Sequence, residues 1–308
     1  MLPADTALLA LLAALATRGY RFTTITPASH ARALADKPAV ARSLTDIFGW
    51  SLPFAPGFLP TDIAAPLAAS GMLDDRGALH RSHVRVSMVA GRLFLHSAYP
   101  TSGADAVFLG PDSYRFAGLL AAQVAAAPLR AGARVADIGV GTGVGAIAAT
   151  ALCHGAQATG TDPNPQALRL ARVNAAAAGV ALDTVETSGL AGVDGPFDLI
   201  LTNPPYVVDP AGRTYRDGGG LHGGQLSIDL AREALEKLAP GGRLILYTGS
   251  AIVDGEDRVR AALTAVAGDA TLSYRELDPD VFGEELGTAP YAGVDRIAVV
   301  AAIFTKPD

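Results

Sequence analysis

Hydrophobic and polar positions change their rhythm near residue 105. Beyond it, short apolar runs alternate with helical stretches. Arg134 to Ile138, Gln157 to Thr161, Asp198 to Thr202 and Arg243 to Thr248 read as strands, with a weaker one at Leu182 to Glu186. Helices are predicted over Val144 to Leu152, Pro165 to Ala178, Gln225 to Leu238 and Glu256 to Ala267, and the Val/Ile/Ala run Asp295 to Phe304 makes the last strand. Strands joined through helices lie parallel, so these elements build a sheet covered on both faces.

Ahead of residue 105 the pattern is one of short helices followed by a hairpin. Thr6 to Thr17 is an apolar run that makes an amphipathic or buried helix, and Gly19 is placed to stop it. Thr26-Pro27 supplies an N-cap and a first-turn proline for a helix through Leu34. Val84, Val86 and Met88 alternate, Ala90-Gly91 turns, and Leu93 and Leu95 continue the period of two. Helices ahead of a two-stranded wing predict a smaller winged-helix-like α+β domain over residues 1–105, with 106–308 as the second domain. Arg76, Arg81, Arg85 and Arg92 cluster on or near that wing. Lacking interleaved aromatic residues, they read as the wet face of a half-buried hairpin rather than as nucleic-acid contacts.

Composition narrows the class of protein. With 308 residues, 50% hydrophobic and 18% charged, the chain suits two compact domains and not disorder. The N-terminal apolar run is preceded by Asp5 and lacks a basic flank, so it is neither a bilayer span nor a signal peptide. Cys153 is the only cysteine, which excludes a disulfide framework and a cysteine-rich zinc site within one chain and favours a reducing, cytoplasmic setting. His30, His80, His83 and His96 show no metal-ligand spacing. The net charge of -6 opposes tight non-specific binding to nucleic acid, although it divides into +2 over residues 1–105 and -8 over the remainder.

Three short motifs carry candidate chemistry. The first predicted strand ends in Asp137-Ile138-Gly139-Val140-Gly141-Thr142-Gly143 and runs into a helix, a turn whose glycines let a nucleotide-like ligand approach the backbone. Gly141 to Ala146 also matches the dinucleotide fingerprint G-x-G-x-x-A, with Asp162 at about the interval of a ribose contact. The second motif, Asp162-Pro163-Asn164-Pro165, suits a ribose-binding acid or an ordinary helix cap. The third is Asn203-Pro204-Pro205-Tyr206, at the end of the run Phe197 to Thr202. An Asn side-chain oxygen and a carbonyl in a proline-restricted turn offer two acceptors to one amide or amine, and Tyr206 offers a ring for the attached plane. Its plainer reading is a Pro-Pro turn that ends a buried strand.

Asp137-x-Gly-x-Gly-x-Gly, Asp162 and Asn203-Pro204-Pro205-Tyr206 together resemble the class I S-adenosylmethionine-dependent methyltransferases. Within that class the chain looks most like the release-factor glutamine methyltransferases and the related amine-methylating enzymes of RNA and DNA, over roughly residues 105–304. The resemblance implies a doubly wound, seven-stranded α/β sheet with S-adenosyl-L-methionine as cofactor. It implies that Asp137, Gly139, Gly141, Gly143 and Asp162 hold the cofactor, with Asn203 shared between cofactor and acceptor. Asn203, Pro204, Pro205 and Tyr206 then form the catalytic set. Thr161 to Leu168, with Asn174 beyond, is similar to the ribose-binding strand end of the group, and Asn203 to Pro210 resembles its archaeal and eukaryotic branch. Val107 to Tyr114 resembles the segment laid over the cofactor, which adds Tyr114 to the cofactor set.

Two departures stand out. Where the group has an acid near the adenine, this chain has Thr187-Ser188-Gly189, which leaves Ser188 as the adenine contact. The front hundred residues also do not resemble the helical substrate-binding domain of the bacterial release-factor enzymes. The acceptor is therefore read as a protein glutamine, release-factor-like, with an exocyclic amine of RNA or DNA as the alternative. A non-catalytic S-adenosylmethionine sensor, a small-molecule methylase and a nicotinamide enzyme remain weaker alternatives. Tyr215 to His222, glycine-rich, reads equally as a mobile rim over the substrate or a flexible connection.

Overall fold

The computed structural model describes residues 2–151, 153, 155–209 and 216–308. Leu152, Pro210 and Tyr215, which fall at the ends of segments read above, lie outside the described residues. The front region contains α1 (Pro3–Thr17), α2 (Pro27–Leu34), α3 (Leu44–Phe48), α4 (Thr61–Ala69), the short pair β1 (Leu73–Asp74) and β2 (Arg81–Ser82), and the hairpin β3 (Val84–Val89) with β4 (Arg92–Ser97). There follow α5 (Pro111–Ala126), β5 (Arg134–Ile138), α6 (Val144–Thr150), β6 (Gln157–Asp162), α7 (Pro165–Ala177), β7 (Leu182–Glu186) and β8 (Phe197–Thr202). The chain continues through α8 (Gln225–Glu236), β9 (Leu238–Val253), β10 (Glu256–Asp257), α9 (Arg258–Val266), β11 (Thr271–Asp278) and β12 (Arg296–Thr305).

The main sheet has the order β11-β12-β9-β8-β5-β6-β7, with β10 attached to β9 as a terminal hairpin. Strands β7, β6, β5, β8 and β9 run parallel, while β12 is antiparallel to both its neighbours. This is the doubly wound seven-stranded arrangement that the resemblance implies. Strand order reverses between β5 and β8, and the crevice at the carboxyl ends of such strands is where open α/β sheets bind ligands. Asp137 and Asn203 stand at that point. Besides the two-residue strands β1, β2 and β10, two longer elements have no counterpart in the sequence reading. One is α5, whose start Gly110-Pro111 puts proline in the first turn; the other is β11, a solvent-alternating edge strand.

The front region packs onto the sheet domain through a shared core. Leu8, Leu11, Leu12 and Leu15 form the buried stripe of α1 and meet Ile63 and Leu67 of α4 together with Ala167, Leu170 and Val173 of α7. Thr26 caps α2 through Ser29, and Ala90 and Gly91 both take positive φ in the hairpin turn, as the sequence indicates. Asn174 ties the two regions together. Its oxygen accepts from the Leu95 amide at 2.9 Å, and its nitrogen donates to the Leu95 carbonyl at 3.0 Å and the Thr142 carbonyl at 2.9 Å.

The hairpin does not present a wet face. Arg85 and its cross-strand partner His96 are buried, and so is Ser87. Ser87, His96 and Thr24 form one hydrogen-bonded cluster, and Tyr114 receives the Thr24 amide at 2.8 Å. The expectation of a solvated arginine row fails at Arg85 because α5 and the segment around Tyr20 cover that face. Arg76 and Arg81 remain exposed.

Candidate active site

A cavity of about 540 Å³ opens at the carboxyl end of β5, β6 and β8. Asp137, Gly139, Gly141, Asp162, Ser188, Asn203, Pro204, Pro205 and Tyr206 all line it, so the structure brings together the three motifs read separately along the chain. Asp137 is held under the loop it precedes: its Oδ2 accepts the Ala146 amide at 2.7 Å. Burial pushes its carboxyl up to about 7, with Asp162 adding a smaller like-charge effect. Asp162 accepts the Gly141 amide at 3.0 Å and the Asn164 amide at 2.9 Å, one on each oxygen. Its pKa is likewise raised, chiefly by burial. Each carboxylate oxygen has room for a second donor, so Asp162 can still accept a pair of hydroxyls.

The loop backbone explains the glycines. Gly139 and Gly141 take φ of +69° and +52°, and a Cβ at Gly145 would lie 2.6 Å from the Asp137 carboxylate and 2.8 Å from Phe116. Gly143 does not line the cavity; it sits at φ 82° as the residue preceding α6, so its role is to start that helix. The fit to S-adenosylmethionine is chemical as well as spatial. Two carboxylates suit an ammonium and a diol, and Val140, Pro163, Leu226 and Leu230 supply an apolar wall for a base.

Ser188 stands exposed on the rim. Its loop is fixed by an acid from elsewhere in the chain: Glu233 of α8 accepts the Leu190 amide at 2.7 Å. Tyr114 departs from the sequence reading. It is one residue along α5 from Ser113, and the helical turn of about 100° per residue carries it away from the cavity onto Thr24 of the front region. The residues of that segment that face the cavity are Asp112, Ser113 and Phe116, together with Phe108 before the helix.

At the acceptor end, the Asn203 side chain makes no hydrogen bond among the described residues, and the Thr202 hydroxyl pins the strand end by donating to the Ile138 carbonyl at 3.0 Å. Tyr206 is only 7% exposed, with Phe282 edge-on at 5.6 Å between ring centres and Tyr247 at 6.4 Å. Its hydroxyl is buried without a hydrogen-bond partner among the described residues, and burial raises its pKa well above the ordinary phenol value. Behind it, Tyr247 donates to Asp112 at 2.7 Å. Asp112, Phe282 and Arg216 line the same cavity without having been picked out from sequence. Arg216 is paired with Glu285 and belongs to the glycine-rich segment read as a rim over the substrate, although the residue itself was not singled out.

The glycine-rich segment is a fixed strap in its described part. The Gly218 amide donates to the Val207 carbonyl at 2.8 Å, and a Cβ at Gly223 would strike the Tyr206 backbone. Glycine is required there for contact with the motif.

Residues 117–253 match the family described as the methyltransferase small domain. The chain is 40% identical over 164 residues to the release factor glutamine methyltransferase of Deinococcus radiodurans, covering 49% of this chain and 55% of that one. The corresponding enzyme of Bradyrhizobium diazoefficiens is 38% identical over 44% of this chain and 48% of its own. The chain thus spans about half the length of the curated relatives it matches. Among solved structures, Trm5b of Pyrococcus abyssi superposes with a TM-score of 0.52 at 13% identity, covering 75% of this chain and 59% of that one, which speaks to the fold alone. The sequence matches and the sheet order agree: the chain contains a class I S-adenosylmethionine-dependent methyltransferase domain that resembles the release-factor glutamine methyltransferase family.

Proposed function

We propose that this protein is an N-methyltransferase whose acceptor is the side-chain amide of a protein glutamine, carried by a release-factor-like substrate. The observation that supports it most is the unpaired Asn203 amide, which shares one cavity with Asp137 and Asp162. The named relatives support the choice of glutamine.

When bound, S-adenosylmethionine supplies a methyl carbon on a sulfonium sulfur that departs with the bonding pair. Asp137 would hold the ammonium end, Asp162 the ribose hydroxyls, and Ser188 would contact the base. An amide nitrogen is a poor nucleophile because its lone pair is delocalised into the carbonyl. Asn203 Oδ1 and the Pro204 carbonyl accept its two hydrogens, which turns the lone pair toward the cavity and stabilises positive charge as it develops. Tyr206 supports the amide plane with its ring, and Phe282 and Tyr247 hold that ring in place. The surplus proton on the methylated nitrogen is strongly acidic and passes to water, so no side chain is needed as a base. Positioning is the protein's main contribution.

The test is methyl transfer from radiolabelled S-adenosylmethionine into a cell extract, followed by separate protease and nuclease digestion. Label released by protease and resistant to nuclease supports a protein acceptor. Label released by nuclease overturns it.

A further inference from the structure

The loop that follows β7 lines the cavity with Ser188 and Gly189, and it carries no acid between Thr187 and Val193. Two anchors hold it from outside the cavity. The Thr161 hydroxyl near the end of β6 donates to the Gly189 carbonyl at 2.7 Å, and Glu233 Oε1 of α8 accepts the Leu190 amide at 2.7 Å. A carboxylate accepting a main-chain N–H is a charge-assisted bond, stronger than a neutral one.

The helix period explains how Glu233 reaches that loop. Leu226, Leu230 and Glu233 stand at i, i+4 and i+7 on one face of α8; the two leucines line the cavity, and the glutamate comes next along the same face, against Gly189. The approach is close. Gly189 takes φ of +65°, and a Cβ there would strike the Glu233 carboxylate. Stability of α8 gives no reason for an acid at this position, since the last turn of a helix disfavours negative charge, and Glu233 has no ion pair among the described residues.

With the Gly189 carbonyl and the Leu190 amide held, the Ser188 and Gly189 amides keep no hydrogen-bond partner among the described residues. Two main-chain donors and the Ser188 hydroxyl are therefore left for a ligand. They complement the edge of adenine, where ring nitrogen N1 accepts and the exocyclic amine donates. Hypoxanthine reverses both, with a hydrogen on N1 and an oxygen on C6. Donors fixed in advance discriminate more sharply than mobile ones, because a mismatch then leaves them unpaired instead of letting the loop swing away.

The geometry points to Glu233 as a positioning residue for the cofactor's base: from α8 it fixes the main-chain donors of the Ser188-Gly189 loop, so that this chain selects adenine without an acid side chain after β7. The inference rests on the placement of the base beside Ser188.

Calorimetry of the full chain with S-adenosylhomocysteine and with S-inosylhomocysteine tests it. Wild-type protein should bind the adenine compound at least about tenfold more tightly. Glu233→Ala, and Glu233→Met with its stem retained, should lose about tenfold in affinity for the adenine compound and little for the hypoxanthine compound, so the preference shrinks. Glu233→Gln keeps a carbonyl oxygen for the Leu190 amide and should retain most of the preference. Equal binding of the two compounds by wild-type protein overturns the inference. So does a Glu233→Ala or Glu233→Met protein that melts lower and weakens both compounds alike, the behaviour of a merely structural glutamate. Ser188→Ala separates the two claims. If it reduces a preference that the Glu233 variants leave intact, the base stays at this loop and Glu233 loses its role; if none of these variants alters the preference, the base lies elsewhere and both claims fall. No methyl acceptor is needed, so the outcome is independent of the labelling experiment.

Discussion

Arg85 on the front hairpin and Asp137 at the end of β5 are equally hidden, each 3% exposed, and burial displaces both from their ordinary ionisation. The Arg85 guanidinium is pushed down to about 10 and the Asp137 carboxyl up to about 7. Their surroundings differ. Arg85 is enclosed by Tyr20, Tyr99 and Tyr114 and donates to the Ser97 carbonyl at 3.2 Å, whereas Asp137 faces a cavity beside Asp162 and Asn203. A buried charge is costly in either place, but only one that faces a cavity can be compensated by a ligand's charge. Burial alone therefore does not separate function from structure; what the group faces does.

The largest expected effect probes the cavity side of that contrast. On the proposed mechanism Asn203→Ala removes one acceptor that acts as charge develops, and turnover should fall by about 10²–10³-fold. S-adenosylmethionine affinity, read by calorimetry, should stay close to wild type. A variant that turns over at the wild-type rate would remove Asn203 from the mechanism.

Asp137 gives a pH-dependent prediction. Its folded pKa of about 7 lies above the ordinary 3.8, so the folded protein keeps a proton that the unfolded chain has lost between those values. Its contribution to stability is full below about pH 4 and is lost as pH rises toward about 7. Ligand-free Asp137→Asn protein should therefore melt higher than wild type at pH 8, with the difference shrinking as pH falls. Binding a cationic ammonium requires the ionised carboxylate, so wild-type S-adenosylmethionine affinity should fall by up to about tenfold per pH unit below 7. Calorimetry at pH 6 and pH 8 reads this directly. A flat affinity profile would place the ammonium elsewhere.

These two residues were legible in the sequence because their jobs are local. Asp137, its glycines and Asp162 sit at strand ends within one βαβ unit, and proline and asparagine mark where α7 begins. Asn203 follows a clear apolar strand. Arg85 was not legible, since strict alternation on a hairpin signals a two-faced strand without saying which face another element covers. Asp112, Phe282 and Arg216 were missed for a related reason. They reach the cavity from α5 and from segments beyond β8; the segments holding Asp112 and Arg216 were read as lying near the ligands, but nothing local singles out the individual residues. Tyr114 shows the cost of carrying over a segment without its helix: one residue along α5 separates the cavity from the front region.

A smaller effect comes from Gly249, which lies on β9 against the Tyr206 ring. A Cβ there would press into the ring carbons, so Gly249→Ala should cost about 1–3 kcal/mol through overpacking and displace Tyr206. Turnover should fall while S-adenosylmethionine affinity holds, because the Asp137 and Asp162 end lies on other strands. Gly118→Ala on α5, where a Cβ meets nothing within 4 Å, is the matched control and should leave both unchanged. Equal losses from the two variants would mean that Tyr206 packing is not what Gly249 protects.

The smallest expected effect tests the enclosed side of the contrast. Among the described residues Arg85 pairs with no carboxylate, so the desolvation cost of its guanidinium is offset there by one carbonyl and the surrounding tyrosines. Arg85→Met keeps most of the stem's length and apolar packing while removing the charge, and replacement of a buried charge by a well-packed hydrophobe is neutral or stabilising. The folded protein should gain up to about 1 kcal/mol in a urea titration, with turnover and S-adenosylmethionine affinity unchanged. The neighbouring histidine sharpens the reading. Burial, and then the Arg85 charge, hold His96 well below its usual 6.5, so the folded state keeps it neutral and loses stability as pH falls below about 6.5. Without the guanidinium that acid sensitivity should lessen. A drop in turnover with stability intact would instead show that this enclosed charge communicates with the cavity through Tyr114 and α5, and the division between the two regions would fail at that helix.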